Sequence, residues 1–583
     1  MLKYYRYKKT RYSTNYLTSI QITIKRTIIN QVMKNSLLSS PLKSDIDNKS
    51  EEFANYKTAM LEKLDGIEDL LDYVELGGGM HHHERLAARG KMPVRERIAN
   101  FLDPDTPFLE ISSLAAYASD YPVGGGCVAG IGIVAGTEVV IFANDPTVLA
   151  GAMHAYSGKK WTRAMEISRV NKIPYVQFVE SAGGDLRMGG GKGKSKTRGT
   201  ILGAGHFAES GRTFYDVTEL SKLRIPTISL VFGSSTAGGA YQPGMSDYNI
   251  FIKKQSKVFL GGPPLVKMAT GEESDDETLG GGQMHAEKSG LADYLAEDEM
   301  DALRIGREVV SHLNWRKEGA GPSHRSDEPV NEIEDLLGLV DPDLKRPFDV
   351  REVISRVVDG SRFEEFKPLF GQTMVCGFAS IHGYTVGILG NNGPIFPDTA
   401  SKGAHFVQLC NQIDVPIIFL QNITGFVVGK DYERDGQIKK GAQFLNSVSN
   451  STVPHLTVIL GNSYGAGTYA MSGRAFDNRF TFLWPSAKIA VMGPQQIAGV
   501  MSIVRRARAA RTGEKFDEKE DAQMVAFAER VQEEGSLALR ATGAISDDGI
   551  IDPRDTRIVL GLCLSVVNGK AVEGAPGYGV YRL

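Results

Sequence analysis

Gly233-Ser-Ser-Thr-Ala-Gly-Gly-Ala-Tyr241 and Gly461-Asn-Ser-Tyr-Gly-Ala-Gly-Thr-Tyr469 are two copies of one element. Each follows an apolar run of strand character introduced by a proline, Pro226 in the first copy and Pro454 in the second. Overlaying the copies sets Ser235 on Ser463, Gly238 on Ala466, Gly239 on Gly467 and Tyr241 on Tyr469. Small residues where a strand turns into a helix leave backbone N–H groups bare at the helix start, which suits them to a negatively charged oxygen. A chain that carries this turn twice is equipped to hold two anions.

The likeness runs outward from the turns. Residues 127–144 overlay 374–391 without a gap, each reading as strand, turn glycine (Gly136, Gly383) and strand. Asp103 to Phe108 parallels Asp359 to Phe363, Ile173-Pro174 parallels Val415-Pro416, and Gly262-Pro263 parallels Gly493-Pro494. The elements recur in one order at a long offset, which marks a duplicated domain; solenoid repeats have periods of a few tens of residues. The 583-residue length exceeds a single core and agrees with two domains. Strand runs alternate with helical stretches at 161–170 and 402–412, pointing to α/β layers joined by βαβ crossovers.

A polar, Gly- and Pro-containing stretch from Arg316 to Pro329 reads as an exposed linker. It divides the chain into an amino domain at 45–325 and a carboxy domain at 340–583. Residues 1–44 hold nine Lys or Arg and no acid before Asp45. Two readings fit that bias, an organellar transit peptide or an over-long reading frame whose start is Met33, and the segment is set aside from the fold.

Composition excludes more than it identifies. The net charge is −3 with no sustained basic stripe, which argues against nucleic acid as the main partner. No apolar stretch reaches membrane-spanning length. Cys127, Cys376, Cys410 and Cys563 stand far apart, so there is no zinc ribbon, and reduced intracellular thiols are expected. The expected setting is soluble and intracellular: cytoplasm for a bacterial protein, mitochondrial matrix if residues 1–44 are a transit peptide.

Several stretches imitate sites. Met188-Gly-Gly-Gly-Lys-Gly-Lys-Ser195 lacks the first glycine of a phosphate-cradling loop and reads as part of a Gly- and Lys-rich surface loop over 189–199. His81-His82-His83 has no further ligand at metal spacing, and Val266-Lys267-Met268 lacks the first methionine of a biotin-attachment motif. Ser235 and Ser463 lie in no G-x-S-x-G elbow, and capping of the following helix is their expected role.

The body of the chain, over 75–583, resembles the carboxyltransferase (beta) subunits of biotin-dependent acyl-CoA carboxylases, and among them the methylcrotonoyl-CoA carboxylase beta chains. The resemblance rests on Arg89-Gly-Lys91 with Arg95-Glu-Arg97, His206-Phe-Ala-Glu-Ser-Gly-Arg212, Phe259-Leu-Gly-Gly-Pro-Pro-Leu-Val-Lys267, Phe419-Leu-Gln-Asn-Ile-Thr-Gly-Phe426, Ser463-Tyr-Gly-Ala-Gly467 and Asp548-Gly-Ile-Ile-Asp-Pro553.

It implies two tandem crotonase-like (ββα superhelix) domains and a homo-oligomer, a hexamer, with active sites between subunits. It also implies a separate biotin carboxylase and biotin-carrier alpha subunit that brings the cofactor biotin, and no metal in this chain. CO2 would pass from carboxybiotin to an acyl-CoA through enolates held in two backbone oxyanion holes. The catalytic amides would be those of Gly238 and Gly239 for the acyl-CoA oxygen and of Ala466 and Gly467 for the biotin oxygen. Ser181, Gly183, Gly184 and Tyr241 would line the acyl-CoA side, and Thr424, Gly425, Phe426 and Tyr469 the biotin side. Channel lining and core packing fit the two tyrosines equally.

The chain reads Ser181-Ala182-Gly183-Gly184 where the family has Ser-Gly-Gly-Ala, and a basic loop follows. That departure leaves geranoyl-CoA and propionoyl-CoA open beside 3-methylcrotonoyl-CoA. A biotin-dependent decarboxylase subunit and a non-catalytic scaffold are the readings of another class.

Overall fold

The computed structural model describes residues 39–185, 211–577 and 579–582. The Gly- and Lys-rich loop at 189–199 and residues 1–38 lie outside them.

Each half of the chain is built on an eight-stranded sheet. The first holds β1 (Leu109–Glu110), β2 (Cys127–Val134), β3 (Thr137–Asn144), β4 (Tyr175–Ser181), β5 (Thr227–Thr236), β6 (Tyr248–Ile252), β7 (Lys257–Phe259) and β8 (Tyr294–Ala296). The second holds β9 (Glu364–Phe366), β10 (Met374–Ile381), β11 (Tyr384–Asn391), β12 (Ile417–Ile423), β13 (His455–Tyr464), β14 (Phe480–Leu483), β15 (Lys488–Ala490) and β16 (Gly549–Ile550). Their orders match: β1-β2-β3-β4-β5-β6-β8 with β7 on β5, and β9-β10-β11-β12-β13-β14-β16 with β15 on β13. In each, the first three strands pair antiparallel and the rest parallel. The expected α/β architecture of two crotonase-like units is borne out.

The residue pairs matched by sequence do matched work. Asp103 accepts the N–H groups of Ala135 and Gly136 at 2.8 and 2.7 Å, and Asp359 accepts those of His382 and Gly383 at 3.0 and 2.8 Å. Each carboxylate thereby closes the hairpin turn of its half. Pro174 and Pro416 stand just before a parallel strand, where the missing N–H costs nothing and the carbonyl still accepts from Val140 and Gly387, both at 2.9 Å.

The central strands are buried on both faces, as parallel sheets covered by crossover helices require; all ten residues of β13 are buried. The first crossovers are the helices Ala155–Asn171 and Pro397–Gln412, and the next are Arg212–Lys222 and Gln437–Ser449. One apolar cluster runs from Phe142, Trp161 and Leu220 of the amino half to Leu456, Phe480 and Trp484 of the carboxy half. The helix Glu51–Glu75 straddles both: Phe53 covers Gly338, and Val74 covers Gly124.

Setting aside residues 1–44 reaches too far. Leu42 N–H bonds Ser361 O at 2.8 Å, and Ser44 Oγ donates to Glu352 Oε2 at 2.7 Å, so residues 41–44 pack on the carboxy half. Among the described residues no helix is long and apolar enough to cross a membrane.

Candidate functional site

Both small-residue turns leave the carboxyl ends of central strands, where open parallel sheets carry their ligand crevices. At the end of β5, Ala237 adopts a left-handed φ of 55° and swings the chain into the turn Ala237–Ala240. At the end of β13, the equivalent Gly465 has φ 59° and leads into the helix Ala466–Ala470. An alanine in that region costs about 1 kcal/mol, so the amino-half turn is held by its surroundings.

In both turns the leading residue, Gly238 or Ala466, is exposed and the next, Gly239 or Gly467, is buried behind it. Among the described residues none of these four amides donates to a group outside its own helix. Neither buried glycine has room for a side chain. A Cβ on Gly239 would stand 2.9 Å from Ser235 Oγ, and one on Gly467 would stand 2.9 Å from Ile423 Cγ1 and 3.1 Å from Gly425 Cα.

The serines do not cap the helices, contrary to expectation, and neither turn has a side-chain cap. Ser463 Oγ instead donates to Gln421 Oε1 at 2.6 Å and lies 2.9 Å from Thr468 Oγ1. Ser235 Oγ is buried with no partner among the described residues. The left-handed residue between serine and helix turns both hydroxyls away from the amides they would have capped.

The two candidate walls also coincide. β4 and β12 each slip register just before their ends, so that Ser181 stands opposite Ser235 and Ile423 opposite Ser463. Gly183 (φ 89°) and Gly425 (φ 116°) then bend the chain past the turns. Gly183 O accepts from Met153 N at 2.8 Å and Gly425 O from Ile395 N at 3.1 Å, with Gly184 and Phe426 bridged to the same two partners. Ser181 and Gly183 thus lie beside Gly239 and Ala237, and Gly425 beside Gly467. Thr424 is exposed next to Gly425. Tyr241 is 41% exposed against Phe214, and Tyr469 is 46% exposed and stacked on Phe476 at 5.9 Å, so core packing is not their role.

One feature of the site was not read from sequence. Glu180, at the bend of β4, accepts from Lys91 and, at 3.0 Å, from Arg97 Nη1; Arg97 also holds Glu299 through Nε and Nη2 at 3.0 and 2.9 Å. Burial holds the Lys91 pKa below its ordinary value despite Glu180. The equivalent of Glu180 in the carboxy half is Asn422, whose Oδ1 accepts the Asn462 N–H at 3.1 Å. Lys91 and Arg97 stand in stretches that carry the family resemblance, but Glu299, the second partner of Arg97, gives no local signal.

The imitations resolve into structure. His83 Nε2 lies 2.9 Å from Leu76 O just past the end of the Glu51–Glu75 helix, and Lys267 pairs with Glu273 at 2.6 Å. All four cysteines are buried and free. Among the described residues no group of three or more His, Cys, Asp or Glu side chains is placed to hold a metal ion.

Comparison with known proteins matches residues 85–576 to the carboxyl transferase domain. A probable biotin-dependent acyl-coenzyme A carboxylase beta2 subunit of Mycobacterium tuberculosis is 51% identical, covering 93% of this chain and 100% of its own. A probable mitochondrial methylcrotonoyl-CoA carboxylase beta chain of Drosophila melanogaster is 43% identical, covering 93% and 95%. Among solved structures, the beta subunit of Pseudomonas aeruginosa geranyl-CoA carboxylase superposes with a TM-score of 0.82 at 40% identity, over 93% of this chain and all of that one.

Proposed function

The chain belongs to the carboxyl transferase family as a beta subunit of a biotin-dependent acyl-CoA carboxylase, and from that premise we propose that it carboxylates 3-methylcrotonoyl-CoA between two backbone oxyanion holes. The observation that carries the reading is the pair of equivalent turns, each an exposed residue followed by a buried glycine, whose amides use no acceptor outside their own helix among the described residues.

In this reading the Gly238 and Gly239 amides hold the thioester oxygen while the acyl carbon is deprotonated, and Ser181, Gly183, Gly184 and Tyr241 wall that side. The Ala466 and Gly467 amides hold the ureido oxygen of biotin, walled by Thr424, Gly425, Phe426 and Tyr469. Carboxybiotin, carried on a separate alpha subunit, supplies the carboxyl group. Preorganised amides need no reorientation as charge develops on either oxygen, and one such donor contributes about 3–4 kcal/mol.

The amino-half turn of one subunit is taken to face the carboxy-half turn of another in a hexamer. Exposed apolar surface supports such contacts: Val500, Ile503 and Val504 on the Pro494–Thr512 helix, and Leu265 and Met268 on the Pro263–Thr270 helix. Geranoyl-CoA is the second reading for the acyl group, favoured by the superposition with a geranyl-CoA carboxylase subunit.

The test is ATP-dependent fixation of labelled bicarbonate by the chain co-purified with its biotin-bearing partner, across a panel of acyl-CoA thioesters. Turnover fastest on 3-methylcrotonoyl-CoA is expected. Preference for geranoyl- or propionoyl-CoA would reassign the substrate, and no fixation on any thioester would overturn the reading.

A further inference from the structure

A cavity of about 830 Å³ lies between the halves, walled by the carboxy end of the Ala155–Asn171 helix and by residues 475–479, which lead into β14. Ile225, two residues before β5, and His455, the first residue of β13, also line it, so it opens at the end of the sheets away from the small-residue turns.

Its charged lining is unbalanced: Arg169, Lys172, Arg479 and Lys570 against Glu166 and Asp477. Glu166 is already engaged by Arg163 at 2.8 Å and Arg474 at 3.3 Å, and Lys172 is engaged by Glu318. Among the described residues Arg169, Arg479 and Lys570 have no ion-pair partner. The largely buried Arg479 is held down to about 10 by desolvation and then by the Arg169 charge. His455 adds no charge, since its ring nitrogens lie 2.9 and 2.8 Å from Ser472 and Ser451 hydroxyls and burial keeps it neutral, at about 3.

Helix capping accounts for part of this. Arg479 Nη1 donates to Val170 O, near the end of the Ala155–Asn171 helix. Capping does not account for Arg169 and Lys570 converging on the same cavity. Two guanidinium groups that repel are relieved by an anion, and planar guanidinium forks match phosphate oxygens.

We propose that this cavity is a second ligand site, taking a phosphate-bearing small molecule whose dianionic group lies between Arg169 and Arg479, with Lys570 at the rim. The volume is that of a pocket for a nucleotide-sized ligand. Phe476 lines the cavity and stacks on Tyr469, so an occupant reaches the wall of the carboxy-half turn through one ring contact. That last link rests on the biotin-side assignment of Tyr469; the binding site does not.

The test is calorimetric titration of the full-length chain, purified without its biotin-bearing partner, with inorganic phosphate, pyrophosphate and ADP. Saturable binding of one probe per chain is expected, weakened roughly tenfold or more by Arg169→Gln and by Lys570→Gln with the melting temperature unchanged. Arg479→Gln also removes a helix cap, so the two exposed positions decide. Tighter ADP than pyrophosphate would identify a nucleotide, and equal affinities a phosphoryl group alone. No saturable heat, or binding indifferent to both exposed substitutions, would overturn the proposal.

Discussion

Arg163, on the first crossover helix of the amino half, grips Asp548 of the carboxy half with two parallel bonds, Nε to Oδ1 at 2.7 Å and Nη2 to Oδ2 at 2.9 Å, both side chains out of solvent. Asp548 is tied in further by the Thr481 N–H at 2.8 Å, and its backbone carbonyl accepts from Ser112. The contact is the polar centre of the junction between halves.

Arg163→Met should therefore cost about 3–5 kcal/mol in chemical denaturation, because it strands a buried carboxylate. Burial alone would raise the Asp548 pKa, but the charges of Arg163 and then Arg474 outweigh it and hold the group below its ordinary value. Its folded pKa is depressed, so the stabilisation is complete above the unfolded value of about 4 and is lost as pH falls through the folded one. Asp548→Asn should abolish that acid-side loss.

Asp547 next door behaves oppositely. Burial, with a further push from Asp548, raises it to about 7. The folded chain then keeps a proton that the unfolded chain releases above about pH 4, so its contribution fades as pH rises from there through 7. Asp547→Asn should flatten the fall in melting temperature over that window and leave the variant more stable than the parent at pH 8. A parent profile rising across the window would contradict the assignment.

Ala466→Pro isolates the amide itself. Ala466 is the first residue of its helix, a position that accepts proline, and the preceding Gly465 has an extended ψ of −150°. The fold should survive while one donor is lost, lowering kcat by about 10²–10³. Unchanged turnover would remove Ala466 from the catalytic set.

Glu180→Gln should loosen the bend beside Gly239 by leaving Lys91 and Arg97 without their shared carboxylate. A loss of about 3–5 kcal/mol is expected, with KM for the acyl-CoA rising more than KM for the carboxyl donor. Equal rises in the two constants would argue for a merely structural role.

These sites differ in how far sequence could disclose them. The turns at 233 and 461, the bends at Gly183 and Gly425, and the carboxylates Asp103 and Asp359 were legible because backbone geometry restricts each position to few residue types within a short stretch. Arg97 and Glu299 meet across 202 positions, and nothing local marks them as partners. The paired helices Pro494–Thr512 and Glu518–Ser536 were missed for a related reason. They carry only three buried residues besides Ser536, so no clean apolar stripe announces them. The serines misled because a hydroxyl before a helix is a good capping signal only when the residue between them is not left-handed.

The slipped strand ends of β4 and β12 follow one path over unlike supports, charge beneath the first and neutral amides beneath the second. A shape that tolerates either foundation can have its electrostatic surroundings retuned while the gripping atoms stay in position. Specificity can drift in such a molecule without disturbing its chemistry.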